Sequence, residues 1–200
     1  MKPPRFGPAI SWLQKAFAAA PLKLQTNLSF ALIGGLSVAA WGAVRATQDI
    51  DFLMDCEPSP IRDLGLQKTL ENYLKRQGCR VEWRVGDYDD PIPLLLRLDL
   101  PRAYGKLGAD ILWAHKRWQR DALKRSITVT VSRQRVRVLH PEDLILLKLE
   151  AGGPQDLLDV HRLLADPPTE LNVSRLKDTA TRLRLGRILE RCLQDVRRKP

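Results

Sequence analysis

Residues 31–55, ALIGGLSVAAWGAVRATQDIDFLMD, decide the fold of this chain. An apolar run ends at Gly34 and Gly35, an alanine-rich stretch follows, and a second apolar run carries two aspartates. This order predicts a strand, a short helix and a second strand. Side chains two residues apart in a strand point to the same face, so Asp49 and Asp51 are expected to lie side by side.

Two carboxylates at that separation repel each other unless a cation lies between them. Asp49 and Asp51 offer only oxygen ligands, which suit a hard divalent ion such as Mg²⁺, and Mg²⁺ often binds together with substrate phosphates. The glycines at 34 and 35 let a backbone turn approach such phosphates closely. The pattern therefore favours a metal and phosphate site. The plain alternative is an ordinary turn followed by two chance aspartates.

The same stretch resembles the signature of the nucleotidyltransferase superfamily, whose members share the polymerase β-like fold. That signature is a Gly-Gly or Gly-Ser turn, a helix, and a strand with Asp-x-Asp. The Arg-x-Thr-x-Asp-x-Asp run at 45–51 narrows the likeness to the AbiEii/AbiGii-type nucleotidyltransferases, which include toxins of bacterial toxin–antitoxin systems. The resemblance implies transfer from a nucleoside triphosphate with Mg²⁺ or Mn²⁺. It assigns the triphosphate to Gly34, Gly35, Ser37 and Arg45, and the metal to Asp49 and Asp51.

A transfer site of this kind needs a third carboxylate close to the first two. In the superfamily that carboxylate lies on a later strand, within an apolar run. Asp110 in GADILWA and Asp99 in LRLDLP both fit. We favour Asp110 as a catalytic metal ligand because an apolar strand-like run follows it directly, and it lies where family members carry a strand aspartate. Asp99 is the alternative.

A second match to the AbiEii-like group covers residues 138–164, VLHPEDLILLKLEAGGPQDLLDVHRLL. Lys148 lies in an otherwise apolar stretch, so its ammonium group must reach solvent or find an anion. A triphosphate is one such anion and Asp156 is another. Asp156 and Asp159 share a helix face at i,i+3 spacing. They are expected to orient Lys148 or to act at a helix N-terminus, and Lys148 and Asp156 join the predicted nucleotide-binding residues.

The chain departs from the family pattern at two positions. Gly153 and Gln155 stand where many relatives carry basic residues. Phosphate binding is then expected to depend on other cations, such as Arg45. The departures leave open a nucleotide-binding or antitoxin-like interaction module without turnover, against which the intact Asp-x-Asp argues.

Basic residues dominate two regions of the chain, whose net charge is +10 and whose pI is about 9.9. Residues 171–200 hold nine basic and three acidic side chains, and residues 116–137 hold eight and one. This balance favours a polyanionic partner. We expect an RNA acceptor, with a tRNA 3′ end suggested by the family; a protein hydroxyl and a merely solvated basic face are the alternatives. The predicted RNA-binding stripe, opposite an apolar packing face, consists of Arg184, Arg187, Arg191 and Arg198.

Length and composition suit one domain with a small helical extension, since the chain has 200 residues and is 44% hydrophobic. We predict an α/β (α+β) fold with a mixed sheet and flanking helices. The predicted division is a nucleotidyltransferase core with an N-terminal helix at 1–140 and a helical region at 141–200. The three scattered cysteines suggest a reducing cytoplasm. No run reaches the length of a membrane helix, and a cognate antitoxin is a possible partner if the chain is a toxin.

The predicted secondary structure follows from the periodicity of apolar residues and from the Gly and Pro positions. A loop is expected at 87–91. Helices are expected at 8–20, 36–44, 61–77, 118–125, 142–151, 155–164, 173–183 and 185–197, and strands at 28–33, 49–54, 80–85, 94–98, 109–113, 126–131 and 136–139.

Overall fold

The computed structural model describes residues 6–21, 28–86 and 92–198, so the predicted loop at 87–91 lies outside the described residues. None of the helices in these ranges is both long and apolar enough to cross a membrane. The helices are α1 (Phe6–Ala18), α2 (Gly34–Ala40), α3 (Leu64–Arg76), α4 (Arg117–Arg125), α5 (Pro141–Ala151), α6 (Pro154–Ala165), α7 (Val173–Arg182) and α8 (Gly186–Arg198). The strands are β1 (Ser29–Leu32), β2 (Asp49–Asp55), β3 (Arg80–Val85), β4 (Leu94–Asp99), β5 (Gly108–Trp113), β6 (Ile127–Val131) and β7 (Gln134–Val138).

The strands form one mixed seven-stranded sheet in the order β3-β4-β5-β2-β1-β7-β6. The central strand β2 is antiparallel to β1 and parallel to β5. On the far side of β5, β4 and then β3 continue the sheet in antiparallel pairs. The predicted α/β fold with a mixed sheet and flanking helices is therefore confirmed.

The two faces of β2 differ because its side chains alternate. Ile50 and Phe52 are fully buried, whereas Asp49 and Asp51 on the other face are only half-buried. The ring of Phe17 in α1 packs against Phe52, with ring centroids 6.3 Å apart and the planes nearly perpendicular. α1 therefore covers the apolar face and leaves the opposite face for the aspartates.

The C-terminal helices pack on one another and share the core of the sheet. Leu144 and Ile145 of α5, Val160 of α6, Leu176 of α7 and Leu189 of α8 belong to the same buried cluster as the strands. The division into a core at 1–140 and a helical region at 141–200 stays a prediction.

Two local predictions differ from the structure. The helix expected at 36–44 is instead Gly34–Ala40, so both glycines belong to its first turn, and the chain leaves it through Gly42 at φ +96°. The stripe predicted from the sequence includes Arg184 with the last helix, but this residue lies before that helix, at φ +62°. Its backbone N–H donates to the Thr181 carbonyl oxygen, which closes the end of α7.

Candidate active site

The carboxylates lie on three neighbouring strands whose register fixes their order. Asp51 of β2 pairs with Asp110 of β5, and Asp110 pairs with Arg97 of β4. In the adjacent row, Asp49 pairs with Gly108, which pairs with Asp99. Directly opposed residues share a face of the sheet. Asp110 is therefore one strand away from Asp51, whereas Asp99 is two strands away from Asp49 and is exposed.

Two glycines leave space for the carboxylates, because any larger side chain at their positions would clash with them. A Cβ atom at Gly34 would lie 1.9 Å from Oδ2 of Asp51, and one at Gly108 would lie 2.6 Å from Oδ1 of Asp49. Gly34 also has φ +61°, which side chains other than glycine rarely adopt. Gly34 therefore allows α2 to begin directly beside the Asp51 carboxylate. Phosphate binding by Gly34 stays a prediction.

The pKa of Asp51 is strongly perturbed by its surroundings. Burial, followed by the charges of Asp110 and Asp49, raises its pKa to about 7, while Lys148 and Arg45 oppose the rise. Burial is the larger cause, the two neighbouring carboxylates add to it, and a divalent cation would relieve the repulsion between the carboxylates.

Arg97 is a site residue that sequence reasoning missed. Its Nε and one terminal amino group donate to the two carboxylate oxygens of Asp110 at 2.9 and 2.7 Å. These bonds and the charge of Asp110 raise the pKa of Arg97. The signal lay in LLLRLD, because alternation with the buried Leu96 and Leu98 places Arg97 on the other face of β4.

The side chains at this site offer the type of ligand atom that a hard cation binds. Asp49, Asp51 and Asp110 supply carboxylate oxygens on one face of the sheet, and these are the ligands that Mg²⁺ prefers. Within the described ranges, no three His, Cys, Asp or Glu side chains are arranged as a ready metal site. Asp110 is bonded to Arg97, so Asp49 and Asp51 are the carboxylates that can accept a metal without breaking an ion pair.

Asp159 is the centre of a second charged cluster, next to the carboxylate row. Its side chain is fully buried and lies 2.9 Å from Nε of Arg45 and 2.8 Å from Nζ of Lys148. Lys148 also reaches Asp156 at 3.0 Å. Gln155, one of the two departures from the family pattern, donates to Asp159 at 3.0 Å. Lys148 thus contacts both carboxylates of the i,i+3 pair that was expected to orient it.

Gly35 and Ser37 lie inside the protein. A Cβ at Gly35 would be 2.9 Å from Cζ of Arg45 and from Cβ and Oγ1 of Thr47, so Gly35 lets the loop that carries them pack on α2. The hydroxyl of Ser37 is buried and has no hydrogen-bond partner among the described residues. Contact of either residue with a triphosphate stays a prediction.

The four C-terminal arginines of the predicted stripe all reach the surface. Arg187, Arg191 and Arg198 lie on α8, and Arg184 lies in the turn before it. Leu189 and Cys192 of the same helix are buried, so the apolar stripe does fix α8 to the body.

Neither a family profile nor a curated protein matches the chain. Solved structures do match. The antibiotic-resistance factor ANT(2'')-Ia is 17% identical over 92% of this chain and 96% of its own, with a TM-score of 0.50. An antigenic nucleotidyltransferase-like protein from Paracoccidioides brasiliensis is 18% identical over 95% of this chain and 92% of its own, with a TM-score of 0.49. The lincosamide antibiotic adenylyltransferase LnuA is 12% identical over 77% and 93%, with a TM-score of 0.43.

The likeness to ANT(2'')-Ia extends over nearly the whole of both chains, and at this identity it establishes the fold alone. The same fold is the one that the glycine turn and the Asp-x-Asp strand of residues 31–55 predict. The chain therefore has a nucleotidyltransferase-type fold.

Proposed function

We propose that the protein transfers a nucleoside monophosphate from a nucleoside triphosphate to an acceptor hydroxyl. The observation that carries this proposal is the crowding of Asp49, Asp51 and Asp110 on one face of two parallel strands, with the pKa of Asp51 raised to about 7. Three carboxylates crowded at one place are suited to a cation-bound, phosphate-bearing substrate.

In the proposed reaction the acceptor oxygen bonds to the α-phosphorus, the bond from that phosphorus to the β-phosphate oxygen breaks, and pyrophosphate leaves. Asp49 and Asp51, joined by Asp110, would hold Mg²⁺ or Mn²⁺, which when bound offsets charge on the phosphates. Arg97 orients Asp110 through its two hydrogen bonds. The acceptor's proton is taken up by a carboxylate of the site.

The triphosphate would lie between the carboxylate row and the Asp159 cluster, against Gly34, Gly35 and Ser37. The charges of Lys148 and Arg45 act on Asp51, which supports a place for both cations beside the phosphates. Both are already paired with Asp159, so a bound triphosphate shares them with protein carboxylates. Asp156 then keeps Lys148 in position.

We propose RNA as the acceptor, with a tRNA 3′ end as the specific candidate. The net charge of +10 supports it, as do the exposed arginines at 184, 187, 191 and 198. The AbiEii-like pattern further suggests a toxin held in check by a cognate antitoxin protein in the cytoplasm. A protein hydroxyl is the second acceptor class.

One observation favours a different function, namely nucleotide binding without turnover. Arg97 engages both oxygens of Asp110, which removes the third carboxylate from easy metal contact. A module of this kind would bind a nucleoside triphosphate through the Asp159 cluster and act by interaction.

A labelling screen separates these functions. Each α-³²P-labelled nucleoside triphosphate is incubated with the protein, Mg²⁺, and in separate reactions total tRNA, a protein lysate or an aminoglycoside. The proposal predicts label in RNA. Label in protein or antibiotic changes the acceptor class, and nucleotide binding without label transfer supports the non-catalytic function.

A further inference from the structure

A groove between α4 and α7 is strongly basic. It encloses about 660 Å³. A second hollow of about 550 Å³ adjoins it and shares Arg175 and Arg182. The cations that line the groove are Lys116, Arg117, Arg125, Arg175 and Arg182, against one acid, Asp121.

A buried carboxylate fixes two of these cations in place. Asp143, whose side chain is only 2% exposed, accepts hydrogen bonds from Arg125 at 2.7 and 3.2 Å. Arg175 lies 3.7 Å from the same carboxylate. One negative charge therefore orients two guanidinium groups that stay more than a third exposed, which leaves them preorganised toward an anion.

The other cations of the groove differ in how closely they are paired with acidic side chains. Lys116 is bonded to Glu150 at 2.7 Å. Arg117 is 96% exposed and only 4.0 Å from Asp121. Arg182 donates to the hydroxyl of Thr179 and has no acidic partner in the described ranges. Arg182 thus supplies charge that no acid of the groove neutralises, and Asp121 pairs with Arg117 only at long range.

The position of the groove favours a long ligand over a small one. α4 is tied to Asp55 of β2 by Arg120 at 3.4 Å. Asp55 lies four residues beyond Asp51 on the same strand, which is about 13 Å at the usual rise. A ligand that fills the groove and also reaches Asp51 must therefore be an extended chain.

We propose that the α4–α7 groove binds the phosphodiester backbone of the RNA acceptor. This inference rests on the proposed function, because it identifies where the acceptor of that reaction is held. Spaced guanidinium groups match successive phosphates. The half-buried indole of Trp118 in the same groove offers a surface on which a base can stack.

The test measures RNA binding directly, without nucleotide or metal. A fluorescein-labelled single-stranded RNA of mixed sequence is titrated by anisotropy across a KCl series. The proteins compared are wild type, Arg175→Gln/Arg182→Gln, and the charge-matched control Lys68→Gln/Arg76→Gln on α3. Both control residues are exposed. Helix α3 is hydrogen-bonded to α1, which covers the face of the sheet opposite the aspartates.

The groove variant should bind roughly 10-fold more weakly at low salt, and its slope of log K against log[KCl] should be shallower by about 1.4. The control should match wild type. Asp143 keeps its two bonds from Arg125, so the groove variant should fold. If it does not, Arg117→Gln/Arg182→Gln, at exposed positions, replaces it.

Unchanged RNA affinity in the folded groove variant, or no RNA binding by wild type, overturns the proposal. A parallel α-³²P transfer assay keeps the two proposals separate. Transfer to RNA with unchanged binding in the variant rejects the groove and leaves the reaction standing. Groove-dependent RNA binding without transfer supports the groove and rejects the reaction.

Discussion

At the scale of single residues, Asp51 links electrostatics to stability. Its pKa is about 7 in the folded protein and 3.8 in an unperturbed aspartate. The folded state therefore holds this proton more tightly than the unfolded state does. The resulting stability is fully present below pH 4 and is lost as the pH rises to about 7, by about 4 kcal/mol at most.

Asp51→Asn should therefore stabilise the metal-free protein, and the gain should grow between pH 4 and 7 and then level off. Urea unfolding in EDTA at pH 4.5, 6 and 8 measures it, with Asp99→Asn as the control at an exposed carboxylate. A stability difference from wild type that is the same at all three pH values contradicts the raised pKa.

Lys148 gives the second prediction at this scale. Its side chain is 6% exposed and touches both Asp156 and Asp159, so Lys148→Met leaves a fully buried carboxylate with less compensation. The free energy of unfolding should fall by about 3 kcal/mol. The control is Lys177→Met, which removes a surface pair with Glu190 and should cost under about 1 kcal/mol. Equal losses in the two variants would mean that the buried cluster contributes no more than a surface pair.

At the scale of elements, the order of the strands determines which carboxylate is the third. Asp110 lies on β5, which pairs with β2, whereas Asp99 lies on β4, one strand farther away. Asp110→Asn should reduce nucleotidyl transfer by roughly 10²-fold or more, because the amide keeps the size but removes the charge. Asp99→Asn should keep near wild-type activity. Initial rates of nucleotidyl transfer by the two variants measure the difference. If Asp99→Asn loses activity and Asp110→Asn keeps it, the third carboxylate is Asp99 on β4.

Sequence patterns predicted the elements better than their contacts. β2 and β5 lie within one residue of the predicted strands because their apolar alternation is strong. The bounds of α2 were wrong because the glycines, interpreted as a turn, belong to the helix. Arg97 was missed because its bond to Asp110 depends on β4 lying beside β5, and strand order is a tertiary property that a single sequence does not encode locally.

At the scale of the whole molecule, basic charge at the C-terminus should contribute to RNA binding and not to chemistry. Replacing Arg184, Arg187, Arg191 and Arg198 with glutamine should weaken RNA binding and flatten its salt dependence. Binding of a nucleoside triphosphate with Mg²⁺ should survive. RNA retardation across a salt series and nucleotide titration measure the two effects. The charge-matched control replaces four basic residues at or near α3, namely Arg62, Lys68, Lys75 and Arg76.

The RNA-binding assay also has an outcome that contradicts the role of the tail. If the four-arginine variant keeps the affinity and salt slope of wild type, the stripe is a solvated surface and RNA is held elsewhere. Loss of nucleotide binding in the same variant would instead place the tail in the nucleotide site.

The central claim is that the protein transfers a nucleoside monophosphate, and the most direct test follows the α- and γ-phosphates of the triphosphate separately. The protein is incubated with Mg²⁺, tRNA and a nucleoside triphosphate labelled at either the α- or the γ-phosphate, beside Asp49→Ala and Asp51→Ala. Nucleotidyl transfer predicts that α-label enters the RNA, that γ-label leaves as pyrophosphate, and that both variants are inactive yet folded. Transfer of the γ-label, or full activity in either variant, would contradict it.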